Sequence, residues 1–169
     1  MQKLLVVIAV CGLFCALPLF AADVPKAEVF GGYQLIHQSG LTMNGFNGSV
    51  EGNINKSFGI VGDFGFSMKS GTSDLKEYSY MVGPRMGYRA DKVRVFAQAL
   101  FGGVSFNPGN NDFGMIFGGG VDMPLNKHIS MRVVEFDWLT ARNTVGSTTN
   151  WKNQLRFSSG VVFKFGSKK

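Results

Sequence analysis

Imidazole is the usual general base of nucleophilic catalysis, and the chain holds two, His37 and His128. Ser39 stands close to His37, which could be the start of a serine nucleophile and its base. His37 falls in a loop segment and His128 in a short turn, at opposite ends of the segments that flank them. Neither can assist the other, and a solvated loop pair is the simpler reading of His37 and Ser39. Glu135 and Asp137 could act as acid and base, but with Arg156 on the neighbouring run they read better as a structural ion pair. Gly118-Gly119-Gly120 could line a phosphate, yet no Lys and no helix follow it. Inside a strand, glycine avoids interior crowding. Cys11 and Cys15 both lie in the N-terminal apolar segment, so the rest of the chain has no thiolate nucleophile, disulfide or cysteine-based metal site. No His, Asp and Glu cluster has metal-ligand spacing. The residues predict no enzyme, no metal and no cofactor.

The elements that would position these residues are strands. From Leu155 to Phe165 every second residue is Leu155, Phe157, Ser159, Val161, Phe163, Phe165, while the others are Arg156, Ser158, Gly160, Val162 and Lys164. Period-two alternation marks a strand between two unlike environments. Eight such runs follow Pro25, at about 27–35, 45–54, 58–68, 77–89, 93–104, 113–123, 129–140 and 151–165. Most are long enough to cross a membrane, which takes about 9–11 tilted residues. Between them, Asn55-Lys56-Ser57, Ala90-Asp91-Lys92 and Pro124 to His128 are short. Ile36 to Asn44, Lys69 to Lys76, Ser105 to Asp112 and Ala141 to Asn150 are longer. Short turns on one side and longer loops on the other is the pattern of an outer-membrane barrel, with both termini on the short-turn side. The expected fold is all-β: an eight-stranded antiparallel up-and-down transmembrane β-barrel.

One face of these runs is uncharged and rich in aromatics, with Val50, Phe64, Val82, Phe136 and Trp138 among its members. The opposite face carries Glu28, Glu51, Asp63, Arg85, Arg94, Asp122, Glu135, Asp137, Arg156 and Lys164, with many Gly and Ser. An eight-stranded interior is only just wide enough for side chains and could not hold all the aromatics. A charge facing hydrocarbon at mid-membrane costs about 2–4 kcal/mol. The apolar face therefore looks at lipid, and the charges fill the lumen as ion pairs: Lys164 with Glu28, Arg94 with Asp122, Arg85 with Asp63 and Glu51, Arg156 with Glu135 or Asp137. Arg89 is left at the rim without a partner. Two places break the pattern. Arg132 has lipid-facing parity, which a β-bulge near Val133 or snorkelling to the interface would repair. Pro84 removes a ladder hydrogen bond in mid-strand, which calls for a bulge or irregularity.

The chain begins MQKLLVVIAVCGLFCALPLFAAD, a positive head, an apolar centre and small residues. This is the layout of a cleavable signal peptide over residues 1–22, with a barrel domain over 23–169. The net charge is +6, but Lys and Arg are scattered, with no basic stripe for nucleic acid.

The segments AEVFGGYQL, YMVGPRMGYR, VFAQALFGG, FGGGVDMPLNKHISMRVVEFDWL and the last strand together resemble the small outer-membrane β-barrel family typified by the OmpA transmembrane domain and OmpX. The resemblance implies a place in the cell outer membrane, in contact with outer-membrane lipid, as a monomer. The last strand is similar to the signal read by the barrel-assembly machinery, with Ser158, Gly160, Phe163 and Phe165 in its positions, although Gly166 to Lys169 follow. The family fixes fold and location better than function. The leading expectation is a structural or envelope-integrity role, or surface interaction through loops whose ligand the residues do not identify. The alternatives are a narrow pore or transport accessory, a lipocalin-like periplasmic carrier, and an envelope enzyme.

Overall fold

The eight alternating runs form eight strands in a computed structural model that describes residues 24–38, 40–69, 75–106, 111–145 and 148–168. The expected signal peptide and Ser39 lie outside the described residues. The strands are β1 Val24–Gln38, β2 Leu41–Asn53, β3 Phe58–Met68, β4 Lys76–Arg89, β5 Arg94–Phe106, β6 Asn111–Pro124, β7 Ile129–Val145 and β8 Thr148–Lys168. Each pairs antiparallel with the next, and β8 pairs with β1, so the sheet closes into a barrel.

The pleat sorts side chains as alternation requires. Val50, Phe64 and Val82 point outward, all more than half exposed, while Ser49, Asp63 and Met81 form one rung inside the wall. Residues 54–57, 90–93 and 125–128 connect strands at the end that carries both barrel termini. Two of these turns are built alike. The side-chain oxygen of Asn55 accepts hydrogen bonds from the backbone of Ser57 and Phe58, and that of Asn126 does the same for His128 and Ile129. These are Asn-closed turns, which need no glycine.

At the other end two of the expected long loops, Ile36 to Asn44 and Ala141 to Asn150, are mostly strand. Only residues 39–40, 69–75, 107–110 and 146–147 lie between strand ends there. The contrast between short turns and long loops therefore holds only for residues 69–75. Pairing continues past the apolar band through Gln38↔Leu41 and Val145↔Thr148. Strands that leave hydrocarbon meet water on their outer face, so their residues turn polar and read as loop. Gly40 closes the first hairpin with φ of 81°, a conformation open to glycine.

The bulge falls where the parity break requires it. Val121 pairs with Val134 and Asp122 with Arg132, so Val133 is one residue too many on β7. Val133 and Val134 both face outward at 42% exposure, and Arg132 turns into the lumen at 1%. At Pro84 the outcome is milder than a bulge: pairing with β5 runs to Val82↔Phe101 and resumes at Arg85↔Gln98 in unchanged register.

The lumen also departs from the expectation of small and ionised groups alone. Val61, Met81, Leu100, Val104, Ile116, Leu139 and Ala141 form an apolar cluster inside the wall, with Phe106 against it. On β4 to β7 the charged inward residues other than Glu77 lie toward the terminus end and this cluster lies beyond them.

Candidate functional site: the ion-pair network of the lumen

Alternation delivers a charged residue to the lumen from every strand, and closure brings strands remote in sequence within reach. Glu28 of β1 accepts hydrogen bonds from Arg89 of β4 and from Arg94 of β5, the latter at 2.9 Å, and from Asn53 at 2.9 Å. Arg94 also pairs with Glu51 and lies 3.7 Å from Asp122. Arg85 pairs with Glu51 at 3.1 Å and with Glu135 at 3.6 Å. Arg132 holds Asp122 at 2.7 Å and Glu135 at 2.8 Å. Arg156 holds Asp63 at 2.8 Å and Asp137 at 2.7 Å. Asn47 donates a further hydrogen bond to Asp63 at 2.9 Å.

Gln98 joins these groups into one. Its carbonyl oxygen accepts from Arg85 Nη2 at 2.6 Å, and its amide donates to Glu135 at 2.6 Å and Asp137 at 2.8 Å. An unbroken chain of hydrogen bonds and ion pairs thus runs from Glu28 to Asp63. Phe96 stacks within it, its ring centre 4.2 Å from the Arg85 guanidinium and 4.5 Å from that of Arg132. Phe30 meets Arg132 from another side at 4.3 Å. A guanidinium is flat and weakly hydrated, so an aromatic face can share its burial.

Glycines make the room. A Cβ on Gly118 would stand 2.0 Å from Asp137 Oδ1, and one on Gly120 would stand 2.7 Å from the Phe96 ring. The Gly118-Gly119-Gly120 run is thus a clearance for the network, in mid-strand.

Of the ten charged residues read from the sequence, nine are brought together. Lys164 is the exception. It faces Glu28 in register, but its ammonium lies 3.5 Å from the Asn126 carbonyl, and Arg89, Arg94 and Asn53 occupy the Glu28 carboxylate. Arg89, expected to be unpartnered at the rim, is one of those occupants; its long side chain reaches in from the end of β4. Arg156 chooses Asp137, while Glu135 belongs to Arg132 and Arg85. Sequence reasoning left Arg132, Gln98, Asn47, Asn53, Phe30 and Phe96 out of the set. Inward parity marks all of these except Arg132, whose bulge masks it. In β8, Ser158 and Gly160 face inward and Phe163 and Phe165 outward.

The residues considered for catalysis stay apart. His37 sits near the far end of β1, 3.2 Å from Thr42 Oγ1, and His128 in the turn at the terminus end. Glu135 and Asp137 are both committed to guanidiniums.

The model of an outer membrane protein beta-barrel domain matches residues 6–166 of the chain. No curated protein matches it in sequence. Among solved structures it is similar to Ail, the attachment invasion locus protein of Yersinia pestis, at 16% identity and a TM-score of 0.52, covering 84% of this chain and 99% of that one. Neisserial surface protein A is similar at 16% identity and a TM-score of 0.57, covering 82% and 96%. The outer membrane protein OprG of Pseudomonas aeruginosa is similar at 10% identity and a TM-score of 0.60, covering 86% and 98%. At these identities the likeness is one of fold.

Proposed function

We propose, for a chain that belongs to the outer-membrane protein beta-barrel domain family, a structural and surface-presenting role carried out by a barrel with a closed lumen. The chain is a protein of the cell outer membrane. The observation that carries the reading is the continuity of the network from Glu28 through Gln98 to Asp63. Buried ions tolerate a dry interior only when paired and hydrogen-bonded. A lumen filled in this way leaves no water path and no place for a substrate, so the barrel acts neither as a pore nor as an enzyme.

Outer-membrane lipid covers the outward apolar face, and the protein works as a monomer. Ser158, Gly160, Phe163 and Phe165 serve the barrel-assembly machinery during insertion, after residues 1–22 have directed export and been removed. Surface interaction has its own support. Pairing of β8 with β1 stops at Leu155, and pairing of β7 with β6 stops at Ala141. Beyond these points β7 and β8 pair only with each other and rise past the rim as a two-stranded ribbon. By their descriptions, the similar barrels include an attachment protein and a surface protein.

Planar-bilayer recording tests the closed lumen. The purified chain is expected to add no discrete current steps. Reproducible steps that vanish with a heat-denatured sample would replace this reading with that of a narrow pore.

A further inference from the structure

Beyond the ion pairs, toward the end away from the termini, the lumen has two unlike sides. Opposite the apolar cluster, Gln34, Asn47, Ser67 and Gln154 line the wall, with Glu77 of β4 among them, all buried. Five side-chain oxygens on this side are buried without a hydrogen-bond partner among the described residues: Gln34 Oε1, Asn47 Oδ1, Glu77 Oε1, Gln154 Oε1 and Oγ of Ser158, the rung partner of Gln34. The Ser158 hydroxyl can donate to one neighbour; the other four are acceptors, so what satisfies the rest must be a further donor or a cation.

Neighbours set the amide orientations of Asn47, which donates to Asp63 and to the Phe64 carbonyl, and of Gln154. The Gln154 amide nitrogen donates to Glu77 Oε2 at 3.0 Å and to Gln38 Oε1 at 3.2 Å, so turning the amide over would set oxygen against oxygen. Gln34 donates at 2.8 Å to Ser67 Oγ, and Ser67 is the rung partner of Glu77. Gly65 keeps the space beside them open: a Cβ there would stand 3.2 Å from Gln34 Oε1 and 2.5 Å from Ser79 Oγ.

Glu77 differs from the carboxylates of the network. It is 2% exposed, yet no ion pair among the described residues includes it. An unbalanced buried carboxylate is costly. Water would satisfy the oxygens and leave the charge; a proton on Glu77 Oε1 would remove the charge and serve at most one of the two amide oxygens.

We propose that Glu77 Oε1, Gln154 Oε1 and Gln34 Oε1 hold a monovalent alkali cation, sodium or potassium, in the outer half of the lumen. Oxygen-only donors suit hard cations. A single carboxylate balances a single positive charge. Among the described residues no three His, Cys, Asp or Glu side chains come together in the way that divalent ions favour. The site is a dead end, because the Arg156 pairs with Asp63 and Asp137 lie beneath it. It adds an ion to a barrel that conducts none.

The test uses the full barrel refolded in zwitterionic micelles, with urea unfolding followed by tryptophan fluorescence. Sodium, potassium, magnesium and N-methylglucamine chlorides are compared at equal ionic strength. Sodium or potassium is expected to raise the midpoint over N-methylglucamine, with a saturating dependence. A concentration about a hundred times the dissociation constant shifts the folding equilibrium roughly a hundredfold. Glu77→Gln is expected to abolish that difference. Sodium-23 line broadening by wild-type micelles, relieved by potassium, reads the same site without a variant. The proposal is overturned by equal wild-type midpoints in sodium, potassium and N-methylglucamine, by a response to magnesium alone, by a Glu77→Gln barrel that keeps the response, or by the absence of sodium-23 broadening.

Discussion

Arg156 lies fully buried between Asp63 and Asp137, with a guanidinium nitrogen committed to each. Removing one member of such a set leaves the others as uncompensated buried charges, whereas removing a pair takes away both the penalty and the attraction. Arg156→Met is expected to lose about 3–5 kcal/mol of stability. Arg156→Met combined with Asp137→Asn should lose less than the sum of the single changes. Urea unfolding in micelles measures the cycle, and strict additivity would show that the two residues do not act as a pair. The sequence carried the members of this set through parity and charge. It carried Asp137, on the neighbouring strand, as a partner of Arg156, but not the partner across the barrel. Arg156 and Asp63 are 93 positions apart, and only closure of the barrel brings them to 2.8 Å. The stacking of Phe96 between Arg85 and Arg132 was hidden for a related reason. Parity placed Phe96 inside, but only the guanidinium planes, set by closure, make an inward aromatic favourable.

β7 shows how a single residue governs an element. The extra residue at Val133 lets Arg132 face the lumen on one side of the bulge and Glu135 on the other. Deleting Val133 would restore uniform pairing with both neighbours and keep every other side chain on its present face. Deleting Phe136 would instead invert one part of the strand against the rest. The Val133 deletion is expected to give a barrel that resists unfolding by dodecyl sulfate until heated, and the Phe136 deletion to give none. Equal failure of both would assign the bulge a role beyond parity. β8 carries the second prediction at this scale. Phe163 and Phe165 stand on the lipid face, next to the seam where the barrel closes on β1. Replacing both with Ala removes contacts that a lipid environment compensates, so the folded barrel should lose little. Assembly should suffer more, with unassembled chain accumulating in the periplasm. Normal outer-membrane levels of the double variant would count against the assembly role.

At the scale of the molecule the question is which surface meets hydrocarbon. Phe64 is 54% exposed at mid-strand, on a face without charges. Phe64→Arg is expected to destabilise the barrel in bilayers by about 2–4 kcal/mol. Tyr88→Arg, close to the turn over residues 90–93, should cost less because the charge can reach the interface. Equal stability of both variants and wild type in vesicles would mean that the faces are assigned the wrong way round. The same charges that would be costly outside are tolerated inside because closure supplies each guanidinium with carboxylates from several strands.

Alternation is a local property, so the number of strands, their antiparallel order and the identity of the outward face were all legible in the chain itself. The parity break on β7 was legible as well, because Arg132 falls out of step within a few residues of Glu135; the structure decided for a bulge over snorkelling. The length of the strands beyond the membrane was not. A strand in water on one face and a polar loop have the same composition, and Ile36 to Asn44 and Ala141 to Asn150 read as loop until their partners were in place. The ion pairs that cross the barrel, such as Arg94 with Glu28 and Arg156 with Asp63, the inward apolar cluster on β3 to β7 and the unpaired oxygens near Glu77 belong to the tertiary structure alone. Each depends on the shear at which eight strands close. That shear sets which inward residues share a level, and no stretch of neighbouring residues encodes it.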